Sequence, residues 1–213
     1  MRCDKKHMLL YAVTNRTWIG KQTLYQQVEA ALKGGVTCVQ LREKSLDNAA
    51  FMQEAIDIRT LCRAYEIPFI VNDNLEIAIA CEADGIHVGQ EDINASDVRR
   101  RVGKSMILGV SVHTVEEACQ AVQDGADYLG LGAVFSTATK TNASRMSNKI
   151  LRQICSSVEI PTVAIGGINR DNLLNLSGSG VNGVALVSAI FSSENIEETC
   201  RELRTLSEKI VDL

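Results

Sequence analysis

Several clusters along the 213-residue chain combine cations, amides, carboxylates and hydroxyls in ways suited to anion chemistry. Residues 40–44 read Gln-Leu-Arg-Glu-Lys, and on an extended strand Gln40, Arg42 and Lys44 share one face. Two cations and an amide on an inward face call for an anion, because burying unpaired charge is costly. On an exposed strand end the same residues make ordinary ion pairs, with Glu43 at hand. Asn72-Asp73-Asn74 and Gln90-Glu91-Asp92 supply carboxylates. Asp73 and Asp92 sharing one cation would suit Mg²⁺, which takes few protein ligands and completes its shell with water and phosphate oxygens; Glu91 is an alternative ligand. The stretch 128–143, YLGLGAVFSTATKTNA, begins as a buried strand with bulk on one face and glycine on the other. It ends in hydroxyls, amides and the ammonium of Lys140, which suits either an anion-binding loop or a solvated one.

Other candidates have structural readings. Ser111 is a hydrogen-bond donor for a ligand. Thr114 with Glu117 matches a capping box for the helix that follows. His87, inside an apolar run, reads as a hydrogen-bonded core histidine rather than a base. His113 either orients a ligand or simply precedes the cap, and His7 reads as a surface residue.

Short apolar runs alternate with amphipathic stretches from end to end. Strands are expected over Leu9–Thr14, Val36–Leu41, Pro68–Asn72, Gly85–Val88, Met106–Val110, Tyr128–Ala133, Pro161–Ile165 and Gly183–Val187. Helices are expected over Thr23–Lys33, Leu46–Tyr65, Leu75–Ala83, Ala95–Val102, Val115–Gln123, Asn148–Ser157, Asp171–Leu176 and Ile196–Val211. The strands are nearly continuous in Val, Ile and Leu, as in parallel sheets covered by helices. The four junctions LKGGVTCVQL, CEADGIHV, QDGADYLGL and SGSGVNGVAL share a helix end, a glycine and a strand start. The pattern predicts an α/β fold, a single-domain (β/α)8 TIM barrel over residues 1–213; a doubly wound open sheet usually has fewer strands in this length.

In such a barrel, function sits at the C-terminal strand ends. The clusters above fall there, after strands two to six. After strands seven and eight come Gly166-Gly167 and Val187-Ser188, where phosphate often binds backbone N–H groups. Gln40, Arg42, Lys44, Asp73 and Asp92 then form a metal-diphosphate side, and Gly167 with Ser188 a monophosphate side. This predicts a Mg²⁺-dependent enzyme acting on two phosphorylated substrates, or on one phosphorylated at both ends.

Lys and Arg number 22 against 26 Asp and Glu, a formal charge of -4 that argues against broad nucleic-acid binding. The N-terminal residues show no apolar run long enough for a signal peptide or membrane span. The seven cysteines, Cys3, Cys38, Cys62, Cys81, Cys119, Cys155 and Cys200, show no metal-ligand spacing and read as reduced thiols in the cytoplasm.

In order along the chain, YAVTNR, VQLREK, IVNDN, DGIHVGQED, LGVSVHT, YLGLGAVFSTATK, VAIGGI and GVALVSAI resemble the thiamin phosphate synthase family over nearly its whole length. The resemblance implies an enzyme that joins hydroxymethylpyrimidine diphosphate to hydroxyethylthiazole phosphate with Mg²⁺, releasing pyrophosphate by dissociative substitution. It implies that Gln40, Arg42, Lys44 and Asn72 hold the pyrimidine diphosphate, with Ser111 and Lys140 contacting the same substrate. Asp73 and Asp92 would hold Mg²⁺, while Thr137, Thr139, Gly167, Val187 and Ser188 would hold the thiazole phosphate. Arg42, Lys44, Ser111 and Lys140 would be the catalytic set, and a homodimer the assembly. Two departures stand out: Asn15 where the family often has Asp, and Ala133, Ser136 and Ala138 where its loop often has proline, which predicts a more mobile loop.

Two alternatives share the barrel. A thiazole tautomerase-like enzyme would need the phosphate side only, and Arg42, Lys44, Asp73, Asp92 and Lys140 together favour the synthase. A non-catalytic thiamin phosphate-binding barrel differs by turning nothing over. A phosphosugar isomerase lacks a well-placed carboxylate base with a His partner.

Overall fold

The computed structural model describes residues 3–20, 22–136 and 146–211. Eight parallel strands close a barrel in sequence order. They are β1 (Leu10–Val13), β2 (Cys38–Leu41), β3 (Phe69–Asn72), β4 (Gly85–Val88), β5 (Ile107–Val112), β6 (Tyr128–Gly132), β7 (Thr162–Ile165) and β8 (Val184–Leu186). Closure is made by β1 pairing with β8, Tyr11 opposite Ala185. The helices are α1 (Leu24–Lys33), α2 (Asn48–Ala64), α3 (Leu75–Ala80), α4 (Ala95–Val102), α5 (Val115–Gln123), α6 (Asn148–Ser157), α7 (Ser188–Phe191) and α8 (Ile196–Glu208). The expected barrel is therefore the one observed, and the open-sheet alternative falls.

Strand alternation sorts the side chains into two cores. Tyr11, Val13, Cys38, Ile70, Ile107, Tyr128, Val163 and Ala185 point inward, with Met8 packed among them. Their neighbours Leu10, Ala12, Val39, Leu41, Val71, Leu108, Leu129 and Leu131 point outward under the helices. A 3₁₀ turn, Lys5–Met8, precedes β1 and carries the buried Met8. His7 is half-buried there, its Nδ1 accepting from the Asp4 N–H, rather than free on the surface.

Seven helices begin behind a Thr, Asp, Asn or Ser whose side chain accepts a backbone N–H: Thr23, Asp47, Asn74, Asn94, Thr114, Ser147 and Asn195. These caps set where each strand-to-helix loop ends. At Thr114 the reciprocal half of the box is displaced: the Glu117 carboxylate accepts from the His113 N–H at 2.6 Å instead of from Thr114.

Most elements begin or end a few residues from the expected bounds, and three differences bear on the site. β5 runs on through Val112, so Ser111 lies within the strand rather than after it. The expected helix over Asp171–Leu176 is a 3₁₀ turn, Leu173–Leu176, whose N-cap Asn172 makes no side-chain cap. Between β8 and α8 stands the short helix α7, which sequence periodicity did not reveal because four residues span barely one turn.

Candidate active site

A cavity opens at the C-terminal end of the barrel. Its polar lining includes Gln40, Arg42, Asn72, His87, Ser111 and Ser188, and its apolar walls include Val13, Val163, Ile165 and Ile168. Of the residues expected here, Gln40, Arg42, Asn72, Ser111, Gly167, Val187 and Ser188 all line it. Lys44, Asp73 and Asp92 do not line it and form a separate rim cluster.

The strand register explains Arg42. Thr14, fully buried at the end of β1, gives its N–H to Gln40 O at 2.9 Å and takes the Arg42 N–H on Oγ1 at 3.0 Å. The backbone of Arg42 is thus pinned while its guanidinium faces the cavity. No described residue offers that guanidinium an ion pair or hydrogen bond. Lys44 departs from expectation: β2 ends at Leu41, so the alternation that would align Lys44 with Arg42 no longer applies. Its ammonium instead meets Asp73 Oδ2 at 2.6 Å.

Glu43 causes the change of direction. One of its carboxylate oxygens accepts from the N–H groups of Lys44, Ser45 and Leu46 and from the Ser45 hydroxyl. The other meets Arg16 at 3.1 Å, and Arg16 also pairs with Glu54. Asn15 supports this side by accepting the Thr17 N–H, a role Asp would fill equally, so this departure from the family pattern costs nothing visible. Desolvation pushes the Glu43 pKa up, but the hydrogen bonds from Ser45, Lys44 and Leu46 outweigh it and hold the carboxyl below its ordinary range. A carboxyl whose pKa is lower folded than unfolded stabilises the fold above the unfolded value, and this is lost as pH falls through the folded one. Glu43→Gln is therefore expected to cost about 2 kcal/mol near neutral pH. The gap to the parent protein should narrow below about pH 4, which thermal melts at both pH values would check.

The rim cluster joins two loops. Asp73 sits in the left-handed region at φ 62°, its N–H bonded to His87 O across to β4. This turns its carboxylate toward the β4–α4 loop, where Asp92 accepts the Gly89 N–H at 2.8 Å. Desolvation first, then the hydrogen-bonded Asp73 carboxyl, raises the Asp92 pKa, opposed by the Gly89 N–H and the Lys44 charge. Two acids held together with only one ammonium between them fit a divalent cation. The Lys44–Asp73 bridge is largely solvated, a type worth about 0–1 kcal/mol, so Lys44 can be redirected cheaply. Among the described residues no group of three or more His, Cys, Asp or Glu is placed to hold a metal. Glu91 is exposed and has no hydrogen bond or ion pair with this cluster among the described residues.

The floor was less legible in the sequence. Tyr11 and Tyr128 face each other inside the barrel with their hydroxyls 2.7 Å apart. His87 is hydrogen-bonded there, as expected for a core histidine, and also lines the cavity. Glycines make the room: a Cβ on Gly109 would overlap the Tyr128 ring, and one on Gly130 would come within 3.1 Å of His87 Cε1. The loop after the neighbouring strand β7 is packed equally closely. Gly167, at φ 65°, lies against the backbone of Phe135 and Ser136, and the Asn172 amide holds its carbonyl at 2.9 Å. Phe135 N–H in turn donates to Gly166 O, and Met146 N–H to Ala133 O. Thr137, Thr139 and Lys140, and with them the expected loop mobility at Ala138, lie outside the described residues.

Residues 10–190 match the family model described as thiamine monophosphate synthase. The chain is 44% identical over 201 residues to a thiamine-phosphate synthase of Clostridium botulinum, covering 94% of each. It is 46% identical over 194 residues to that of Ruminiclostridium cellulolyticum, covering 91% of this chain and 92% of the relative. Among solved structures it resembles a thiamine phosphate pyrophosphorylase from Pyrococcus furiosus, with a TM-score of 0.89 and 36% identity over 98% of this chain and 99% of that one.

Proposed function

The chain belongs to the thiamine monophosphate synthase family, and on that premise we propose that its barrel mouth joins hydroxymethylpyrimidine diphosphate to hydroxyethylthiazole phosphate. It is an enzyme, a transferase with thiamine-phosphate synthase activity. The observation that carries the detailed reading is Arg42: a guanidinium in the cavity wall with no carboxylate partner among the described residues. Such a group is stable in place only if solvent or an anionic ligand meets it.

The pyrimidine diphosphate lies between Gln40, Arg42, Lys44 and Asn72, with Ser111 and Lys140 completing its contacts. Thr137, Thr139, Gly167, Val187 and Ser188 take the thiazole phosphate. Gly167 and Ser188 both line the cavity, which supports this, and Gly167 at φ 65° has no side chain because the backbone of Phe135 and Ser136 fills that space. Asp73 and Asp92 would hold Mg²⁺, their mutual repulsion in its absence being met by Lys44. Mg²⁺ bound there supplies positive charge to the departing diphosphate.

The C–O bond to the diphosphate breaks with its electron pair leaving on oxygen, and Arg42 and Lys44 neutralise the charge that develops. The aminopyrimidine donates electron density to the methylene cation, and the thiazole nitrogen lone pair forms the new C–N bond. No proton moves, which matches a cavity whose described lining has a cation and amides but no carboxylate base. The work left to the protein is orientation, charge stabilisation and exclusion of water.

Seven unpaired thiols suit a cytoplasmic location, and no helix among the described residues is long and apolar enough to cross a membrane. A homodimer is part of the same proposal. Arg42 and the rim acids favour this synthase over a tautomerase, which has no diphosphate to release. The test mixes both substrates with Mg²⁺ and follows pyrophosphate and thiamin phosphate. Many equimolar turnovers of both are expected; stoichiometric thiamin phosphate binding without pyrophosphate release would favour the non-catalytic barrel.

A further inference from the structure

One run of hydrogen bonds crosses the barrel floor. Gln40 Nε2 donates to the Tyr11 hydroxyl at 2.9 Å, and that hydroxyl lies 2.7 Å from the Tyr128 hydroxyl. Tyr128 meets His87 Nδ1 at 2.9 Å, and His87 Nε2 meets Ser111 Oγ at 2.8 Å. The two ends are residues placed above against the pyrimidine substrate, on β2 and β5. The three middle members have no part in that placement, yet Gly109 and Gly130 are both cut back to accommodate them.

Counting protons restricts the run. Each phenol has one hydroxyl proton, and a neutral imidazole has one N–H. Burial pushes both phenol pKa values well above the ordinary, so both remain donors. With the Gln40 amide nitrogen on Tyr11, Tyr11 gives its proton to Tyr128 and Tyr128 gives its own to His87 Nδ1. The imidazole then carries its proton on Nε2 and gives it to Ser111 Oγ. Turning only the Tyr11–Tyr128 link around would leave the Tyr11 proton without an oxygen or nitrogen acceptor, the neighbouring Cys38 thiol being a weak one. The opposite sense requires the Gln40 amide to turn over as well, so the run reverses as a whole or not at all.

We propose that this run is polarised from Gln40 to Ser111 and sets the hydrogen-bonding character of both ends of the cavity. Gln40 then presents its carbonyl oxygen as an acceptor, and Ser111, which takes the His87 N–H on one lone pair, keeps its hydroxyl proton free to donate. The pair selects a ligand with a donor facing β2 and an acceptor facing β5: the amine of the aminopyrimidine at Gln40, and an acceptor atom of the same substrate at Ser111. Tyr11, Tyr128 and His87 are positioning residues, acting through the two ends. The inference rests on the proposed placement of the pyrimidine substrate between β2 and β5.

The polarity is testable without substrate. The chain has three histidines, and His87 is assigned in ¹⁵N spectra of the ring nitrogens by loss of its signals in His87→Gln. The expected form is the Nε2–H tautomer; an Nδ1–H tautomer, or an averaged ring, overturns the polarity. Tyr128→Phe keeps the ring and removes the hydroxyl. It should raise KM for the pyrimidine diphosphate about tenfold, leave KM for the thiazole phosphate unchanged and release the His87 ring into a tautomer mixture. Tyr11→Phe, which breaks the run one link earlier, should raise the same KM. An unchanged pyrimidine KM in both variants overturns the positioning role. Full activity of both Gln40→Ala and Ser111→Ala would instead overturn the substrate placement, while leaving the tautomer result standing.

Discussion

Asp73→Asn is expected to fold normally and to lose turnover by at least about 100-fold, the scale of removing one electrostatic contact from a preorganised site. Asn is the informative substitution because of the backbone. At φ 62° the residue occupies a left-handed conformation that Asn and Asp adopt more readily than Ala. Asp73→Ala should also lose most of the rate, but it adds backbone strain to the loss of charge. Asp73→Asn keeps the shape and the N–H bond to His87 O, so its effect isolates the carboxylate. It also frees Lys44, whose ammonium pairs with Asp73. Two further readouts separate a metal role from a Lys44 role. If Asp73 holds Mg²⁺, the Mg²⁺ concentration giving half-maximal rate should rise in the variant, and chelation by EDTA should stop the parent enzyme. If it only steers Lys44, the Mg²⁺ dependence should be unchanged. Full activity of Asp73→Asn would end its assignment as a metal ligand.

Pattern alone located the barrel, because inward and outward residues alternate so regularly. Tyr11 with Val13, and Cys38 with Gln40, point in, while Leu10 with Ala12, and Val39 with Leu41, point out. It also placed seven expected ligands around one cavity, since residues at the C-terminal ends of parallel strands converge whatever their individual chemistry. It failed where periodicity stops. Lys44 was aligned with Arg42 by extending a two-residue repeat past Leu41, where the Glu43 turn takes over. The role of Glu43 rests on three backbone N–H groups and Arg16, which no spacing rule reports. Tyr11 and Tyr128 were hidden in apolar runs. Their one signal was glycine: Gly109 stands opposite Tyr128 in the β5–β6 register, and a glycine facing an aromatic across a strand pair marks a ring folded into the space.

Arg42→Ala should lower kcat/KM for the pyrimidine diphosphate by 10²–10³-fold, on the order seen when a single charge-stabilising group is removed from an active site. The geometry makes this a clean deletion. Arg42 is anchored through its backbone to Thr14 Oγ1, and its guanidinium has no partner among the described residues. Truncation therefore breaks no ion pair and strands no carboxylate. Its melting temperature should be equal to or above that of the parent, since a cation placed for a ligand contributes nothing to the empty fold. Arg42→Lys restores the charge but not the planar fork that meets two phosphate oxygens at once, so it should recover only part of the loss. KM for the thiazole phosphate should stay unchanged in both variants, because its proposed ligands Gly167 and Ser188 follow β7 and β8 rather than β2. A rise in the thiazole KM with the pyrimidine KM unaffected would show that Arg42 serves the monophosphate instead. The two ends of the cavity would then have to be exchanged.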